Sequence, residues 1–218
     1  MRFGPLPPSF QNTYSMKFDG MDDKVELGTQ SFGITGAISV SAWVKIPTSG
    51  VWAAPYVQMI VCEDGSGGTS RNWGLGFRPP PFFNYFTFTI YNTDGSYNAV
   101  NSTGIVPNDG NWHHLLGTYD GTTSVNGVKL FVDGVLNVQA TAVSSGVRSS
   151  PNVNPTIGSL SNTAQWHLEG NIDEVSIFDT DQSSNIATLS TAPTVDLTSL
   201  NPIAWYRNGD NGAWKSPQ

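Results

Sequence analysis

"NWHHLLGTYDGTTSVNGVKLFVDGVLNV", residues 111–138, contains two apolar runs that each close on Asp-Gly. In "VKLFVDGVLNVQA", residues 128–140, Asp133-Gly134 offers the positive φ angles that a tight two-residue turn requires, so the segment predicts strand, turn, strand. Asp120-Gly121 ends the preceding run in the same way, and turn signals recur about every ten residues from Asp19-Gly20 onward, the spacing of sandwiches and jelly rolls. Working outward, "ISVSAWVKI" (38–46) sets Ile38, Val40, Ala42, Val44 and Ile46 against Ser39, Ser41, Trp43 and Lys45, the period of two of a half-buried strand. "FFNYFTFTIYN" (82–92) turns Phe86, Phe88 and Ile90 one way and Tyr85, Thr87, Thr89 and Tyr91 the other, leaving an aromatic, hydroxyl-bearing face free to meet a ligand. Helical periodicity is nearly absent apart from a possible short turn at Asn185–Leu189. The fold class predicted is all-β, a two-sheet antiparallel sandwich.

Composition agrees. The 218 residues include 23 Gly and 14 Pro and are only 12% charged, a chain cut into short pieces; 38% hydrophobic residues suffice for a sizeable core. Net charge is -7, and the ten Lys and Arg are scattered singly, so nothing resembles a stripe that could follow a phosphate backbone, and nucleic acid is a poor partner. No apolar run approaches the ~18 residues of a membrane span, and "MRFGPLPPSFQNTYS" lacks the apolar centre of a signal peptide, so neither membrane insertion nor export is expected. Cys62, the single cysteine, reads as a small buried hydrophobe.

In order, "YSMKFDGMDDKVELG", "ISVSAWVKI", "NWGLGF", "NWHHLLGTYDG", "VKLFVDGVL", "TIGS" and "LEGNIDEVSIFDT" resemble the laminin-G-like, or concanavalin A-like lectin/glucanase, domains. The resemblance spans roughly 12–182 and implies two curved sheets, one concave and one convex, with ligands taken by the concave face or its rim. It divides the chain into an arm (1–11), the sandwich (12–182) and a connector or interaction tail (183–218), the last similar to linkers of phage-type structural proteins. Trp205, Tyr206 and Trp214 are too many aromatics for a free linker, so the tail is expected to pack on a sandwich or a neighbouring subunit.

Glucanases of this superfamily use paired carboxylates on one strand facing the groove. Only Glu26, Glu63, Glu169 and Glu174 exist, none in a Glu-x-Asp-x-x-Glu arrangement, and the chain is expected not to be an enzyme. His113 and His114 are adjacent on a strand and point to opposite faces, so they cannot chelate one ion, and His167 is far along the chain. "DGSGGTS" lacks the Lys of a phosphate loop.

Two function classes remain open. One is a carbohydrate-binding module, in which exposed rings stack on sugars: Trp52, Tyr85, Tyr91 and Trp166 are the principal ligand-binding candidates, with Tyr56 and Tyr97 behind them. The other, favoured by the absent signal peptide, the absent disulfides and the Pro-rich arm, is the preferred expectation and does not exclude the first: a virion surface protein of decoration, fibre or tail type that also adheres to glycans, with the arm and the aromatic tail as contacts, virion or host-surface partners and a possible homo-oligomer or tandem sandwich neighbour. An extracellular lectin module is the alternative. The resemblance also implies a structural calcium ion, Ca2+, held by Asp19 and Gly20 of the "FDG" segment with Asp173 of "NIDEVSIF". Period-two counting puts Asp173 on the apolar side with Val175 and Ile177, where a carboxylate needs a partner, either calcium or backbone amides and a nearby Lys17 or Lys24.

Overall fold

A computed structural model describes residues 14–50, 56–65, 70–81, 83–144, 146–147, 150, 152–161 and 166–207. The strands are β1 (Met16–Asp19), β2 (Val25–Glu26), β3 (Ile38–Lys45), β4 (Gln58–Asp64), β5 (Arg71–Arg78), β6 (Tyr85–Tyr91), β7 (Tyr97–Asn101), β8 (Trp112–Tyr119), β9 (Val128–Val132), β10 (Val135–Gln139), β11 (Thr156–Ile157), β12 (Glu169–Phe178) and β13 (Ala204–Tyr206). They form two antiparallel sheets: a seven-stranded one in the order β1-β12-β3-β8-β9-β10, with β13 also paired to β12, and a six-stranded one in the order β2-β11-β4-β5-β6-β7. The expected two-sheet sandwich is what the chain folds into. No described helix is long and apolar enough to cross a membrane.

The alternations in sequence become the two inner faces. Ile38, Val40, Ala42 and Val44 of β3, with Leu130, Val132, Val175 and Ile177, are fully or almost fully buried against Phe86, Phe88 and Ile90 of β6 and Trp73, Leu75 and Phe77 of β5. Pairing between sheets is close: a Cβ built on Gly117 of β8 would lie 2.3 Å from Cδ2 of Phe88. The β9–β10 turn has φ of 50° at Asp133 and 81° at Gly134, the left-handed pair that Asp-Gly announces. Cys62 is fully buried, and burial first, then the Asp64 carboxylate, pushes its thiol up to about 11, consistent with an inert core position.

Two expectations are corrected. First, β3 is buried on both faces: Ser39 and Ser41 are 0% and 3% exposed, because the chain after Gln182 lies over the outer face of the larger sheet. Leu116, Phe131 and Phe178 of that face pack with Leu189 of the single helical turn α1 (Ile186–Leu189), with Leu197 and with Trp205. The Ser39 hydroxyl donates to the Thr180 carbonyl and accepts from the Gln182 amide, both at 2.8 Å, anchoring the segment where it leaves β12. β13 then extends the sheet, pairing Val175 with Tyr206, Ser176 with Trp205 and Ile177 with Ala204. Residues 183–207 therefore belong to the sandwich, and the tail packs on its own chain; Trp214 lies outside the described residues.

Second, the parity of β12 changes within "NIDEVSIF". Three steps from Asp173 to Ser176 oppose two steps from Trp43 to Ser41, a bulge centred on Glu174, whose φ is +49°. Ile172 still faces the core, but Asp173 pairs with Trp43 on the outer face, not with Val175 and Ile177 on the inner one. The bulge aims the buried Glu174 carboxylate at the tail, where it accepts from Trp205 Nε1 and, at 3.0 Å, from Arg207 Nε. Burial outweighs these donors and raises Glu174 to about 7.

Candidate functional site

The outer face of the six-stranded sheet carries a groove of about 770 Å³. On β6 the alternation that buries Phe86, Phe88 and Ile90 turns Tyr85, Thr87, Thr89 and Tyr91 into it. β5 contributes almost no side chain to the floor, because its outward positions include Gly74 and Gly76. A Cβ on Gly76 would meet Val57 Cγ1 at 2.5 Å and the Gln58 carbonyl at 2.9 Å, so only glycine lets β4 and the groove floor approach there. Tyr97, Ala99 and Asn101 of β7 line one wall, with Asn98 and the 140–142 segment.

The predicted aromatic residues converge. Tyr85, Tyr91, Tyr97 and Trp166 line the groove together, and Tyr56 stacks on Trp166 with ring centroids 5.8 Å apart and planes 16° apart. Trp166 adopts φ +63°, a left-handed conformation unusual for so large a residue, fixed by its carbonyl accepting from the Met59 amide at 3.0 Å. Its ring rests on a small apolar cluster of Val57, Met59, Cys62 and Leu160, which supports a platform at the groove edge. Trp52, the remaining candidate, lies outside the described residues.

One end of the groove is ionic. Asp64, fully buried, pairs with Arg71 at 3.1 Å; the Arg71 guanidinium lies 5.0 Å from the Tyr91 ring, and Tyr91 lies 6.2 Å from Tyr97. Burial, then Asp64, which hydrogen-bonds the Tyr91 hydroxyl, push that phenol well above its usual range. At the other end Arg78 sits over the Phe83 ring at 5.3 Å, and Phe83 meets Tyr85 edge-on at 5.5 Å. Sequence reasoning missed Asp64, Arg71 and Arg78. The signal available was "RNWGLGFR", where Gly at alternate positions marks a face kept bare between two arginines.

Asp64 is the one carboxylate among the described groove-lining residues, and it is engaged by Arg71. Neighbouring Glu63 serves another purpose: Ser31, the Phe32 amide and Asn72 donate to it, tying the 31–33 loop to the sheet, and burial raises its pKa. The histidines divide as expected. His113 contacts Asp133 at 2.8 Å, while His114 is fully buried on the opposite face, 2.9 Å from the Ser41 hydroxyl, and burial pushes it down to about 4. The Ser41–His114 pair is sealed beneath the tail, without space for a substrate.

For calcium the fit is mixed. β1 pairs Asp19 with Glu169, whereas Asp173 lies four positions further along β12, about 13 Å at the usual rise, and accepts from the Glu174 amide at 2.8 Å. Asp19 and Asp173 do not share a site. Asp19 instead clusters with Asp22 and Asp23, their carboxylate oxygens within 4.8 Å of one another beside the Gly20 turn. These are hard oxygen donors of the kind calcium takes, although Asp19 already accepts from Met21 and Asp23 from the Asp19 amide, both at 2.9 Å.

Residues 19–185 match the family described as the concanavalin A-like lectin/glucanases superfamily. Comparison with curated proteins gives no match. Among solved structures, the chain is similar to Domain 4 of AbnA, a GH43 extracellular arabinanase from Geobacillus stearothermophilus, in complex with arabinotriose, at 19% identity and TM-score 0.55 over 81% of this chain and 76% of that one. It is also similar to a protein from Bacteroides ovatus described as a candidate carbohydrate binder, at 16% identity and TM-score 0.60 over 91% of this chain and 54% of that one. A SAP-like pentraxin of Limulus polyphemus gives 14% identity and TM-score 0.52 over 84% of this chain and 80% of that one. At these identities the likeness is one of fold.

Proposed function

Because the chain belongs to the concanavalin A-like lectin/glucanases superfamily, we propose that it is a non-catalytic carbohydrate-binding module whose ligand lies in the groove on β4–β7. The observation that carries this reading is the convergence of Tyr85, Tyr91, Tyr97 and Trp166 around a glycine floor, interleaved with Thr87, Thr89, Asn98 and Asn101. Rings stack on the apolar faces of sugars while hydroxyl and amide groups pair with their hydroxyls, and a bare floor lets a flat oligomer approach the sheet. The arabinotriose held by Domain 4 of the arabinanase supports a sugar ligand for a domain of this shape.

Absence of hydrolysis rests on the carboxylates. Glycoside hydrolysis needs two across the scissile bond, and the described groove offers Asp64 alone, itself ion-paired. A structural calcium ion is proposed at Asp19, Asp22 and Asp23, in place of the Asp173 site. A virion-surface role would use the arm and the tail as contacts, but residues 183–207 are occupied by the chain's own sheet, which favours the carbohydrate module, with a virion or other extracellular surface as its proposed setting.

The test is a glycan array followed by calorimetry on the best ligand, with Tyr85→Ala, Tyr91→Ala and Trp166→Ala. Loss of a central stacking anchor is expected to cost roughly 2 kcal/mol, about 30-fold in Kd. Binding that is unchanged in all three variants would place the site elsewhere.

A further inference from the structure

We infer that the groove selects a glycan bearing an anionic group, carboxylate or sulfate, which Arg78 receives; this rests on the groove being the carbohydrate site. The two arginines that bracket β5 are in different situations. Arg71 is neutralised by Asp64 at 3.1 Å. Arg78 lines the same groove, partly buried, and makes no ion pair with a carboxylate among the described residues. Phe83 lies under its guanidinium at 5.3 Å and is braced by Tyr85 at 5.5 Å. Stacking of this kind holds the planar cation by its face and leaves its N–H edge to donate, the geometry that meets a carboxylate or sulfate with two parallel hydrogen bonds.

Charge makes the arrangement selective. The whole chain carries -7, which repels polyanions, yet the groove lining holds Arg71 and Arg78 against Asp64, a local balance of one positive charge. That charge lies at the Tyr85 end, since Arg78 pairs with Tyr85 across β5 and β6, while the ion-paired end lies by Tyr91 about 23 Å away along β5. A ligand lying along the groove would stack on the tyrosines and place one acidic substituent at Arg78. A neutral glycan leaves this cation without an anionic partner among the described residues, and a wall of hydroxyls and amides contacts such a glycan equally along its length.

Affinity is measured by calorimetry for oligogalacturonate and its carboxyl-reduced neutral counterpart, and for sulfated and unmodified dextran oligomers, with the wild type and Arg78→Gln. At least one acidic member is expected to bind about tenfold more tightly than its neutral twin, and added salt is expected to weaken that member selectively. Which pair shows the difference identifies carboxylate or sulfate as the group. Arg78→Gln should bring the acidic member to the affinity of the neutral one with the melting temperature unchanged; should that variant melt early, Arg78→Lys, which keeps the charge without the fork, should retain a reduced preference. Equal binding of acidic and neutral members, or a preference that survives Arg78→Gln, overturns the inference while leaving the groove intact if the tyrosine variants still lose affinity. Absence of binding by every glycan, here and on the array, removes the groove reading together with it.

Discussion

Gly117 of β8 and Phe88 of β6 meet where the two sheets press together, and replacing Gly117 with alanine tests that contact. The added Cβ would lie 2.3 Å from Cδ2 and 2.4 Å from Cγ of Phe88, so the ring or the strand must move by more than about 1 Å to restore ordinary contact. Phe88 is fully buried, with Leu75 and Val100 beside it on its own sheet, and has nowhere to retreat without displacing them. Overpacking of this severity belongs at the upper end of its usual range, about 3 kcal/mol, which for a chain of this size lowers Tm by roughly 6–12 °C. Phe88→Leu alone should cost about 1–2 kcal/mol through the space it opens. In the double variant the new methyl group occupies that space, so the combined cost should fall near about 2 kcal/mol, a coupling of about 2–3 kcal/mol. Urea unfolding followed by tryptophan fluorescence supplies the four free energies. Costs that add to within about 0.5 kcal/mol would mean the two residues do not touch, and the inter-sheet registration described above would be wrong.

The buried Glu174 should give stability a pH slope. Its pKa is raised from 4.5 to about 7 in the folded state, so its contribution, about 3 kcal/mol, is fully present below 4.5 and is lost as pH rises through about 7. His114 runs the other way: lowered from 6.5 to about 4, its contribution of similar size is present above 6.5 and lost as pH falls through about 4. Between these limits the two oppose each other, so Glu174→Gln should make stability rise more steeply with pH than it does in the wild type; urea midpoints across the window that keep the wild-type slope in the variant would contradict the assignment. Millimolar calcium is expected to raise Tm, by about 2.7 kcal/mol of stability at ~100 times Kd, in the wild type and in Asp173→Ala but not in Asp22→Ala, and a wild type that melts identically with calcium and chelator would remove the site. Reducing-sugar release from arabinan or β-glucan is expected to stay at background, and turnover abolished by Asp64→Asn would show a catalytic carboxylate where none is expected.

Local pattern alone carried the sandwich and half of the groove. Alternation settles which face of a strand is apolar, so Phe86, Phe88 and Ile90 were legible as core and Tyr85 and Tyr91 as outward, and Asp133-Gly134 needs no distant partner to form its turn. Parity survives only while the strand is regular, and the bulge at Glu174 reversed it for Asp173, which moved the expected calcium ligand to the other face. Nothing in the neighbouring residues announces that bulge, and the groups its Glu174 carboxylate meets, Trp205 and Arg207, lie some thirty residues later. The tail's aromatic content showed that it must pack, but the surface it covers, Leu116, Phe131 and Phe178, is assembled from three separate strands. The ionic part of the groove was hidden for the same reason: Asp64 and Arg71 sit on different strands, and Arg78 gains its meaning from having no carboxylate beside it among the described residues, which only the folded neighbourhood defines. Sequence determined which residues each strand turns outward, because that depends on steps of two along one chain. Tertiary structure decided which of them meet, because charge pairing, stacking and burial are set by groups brought together from distant positions.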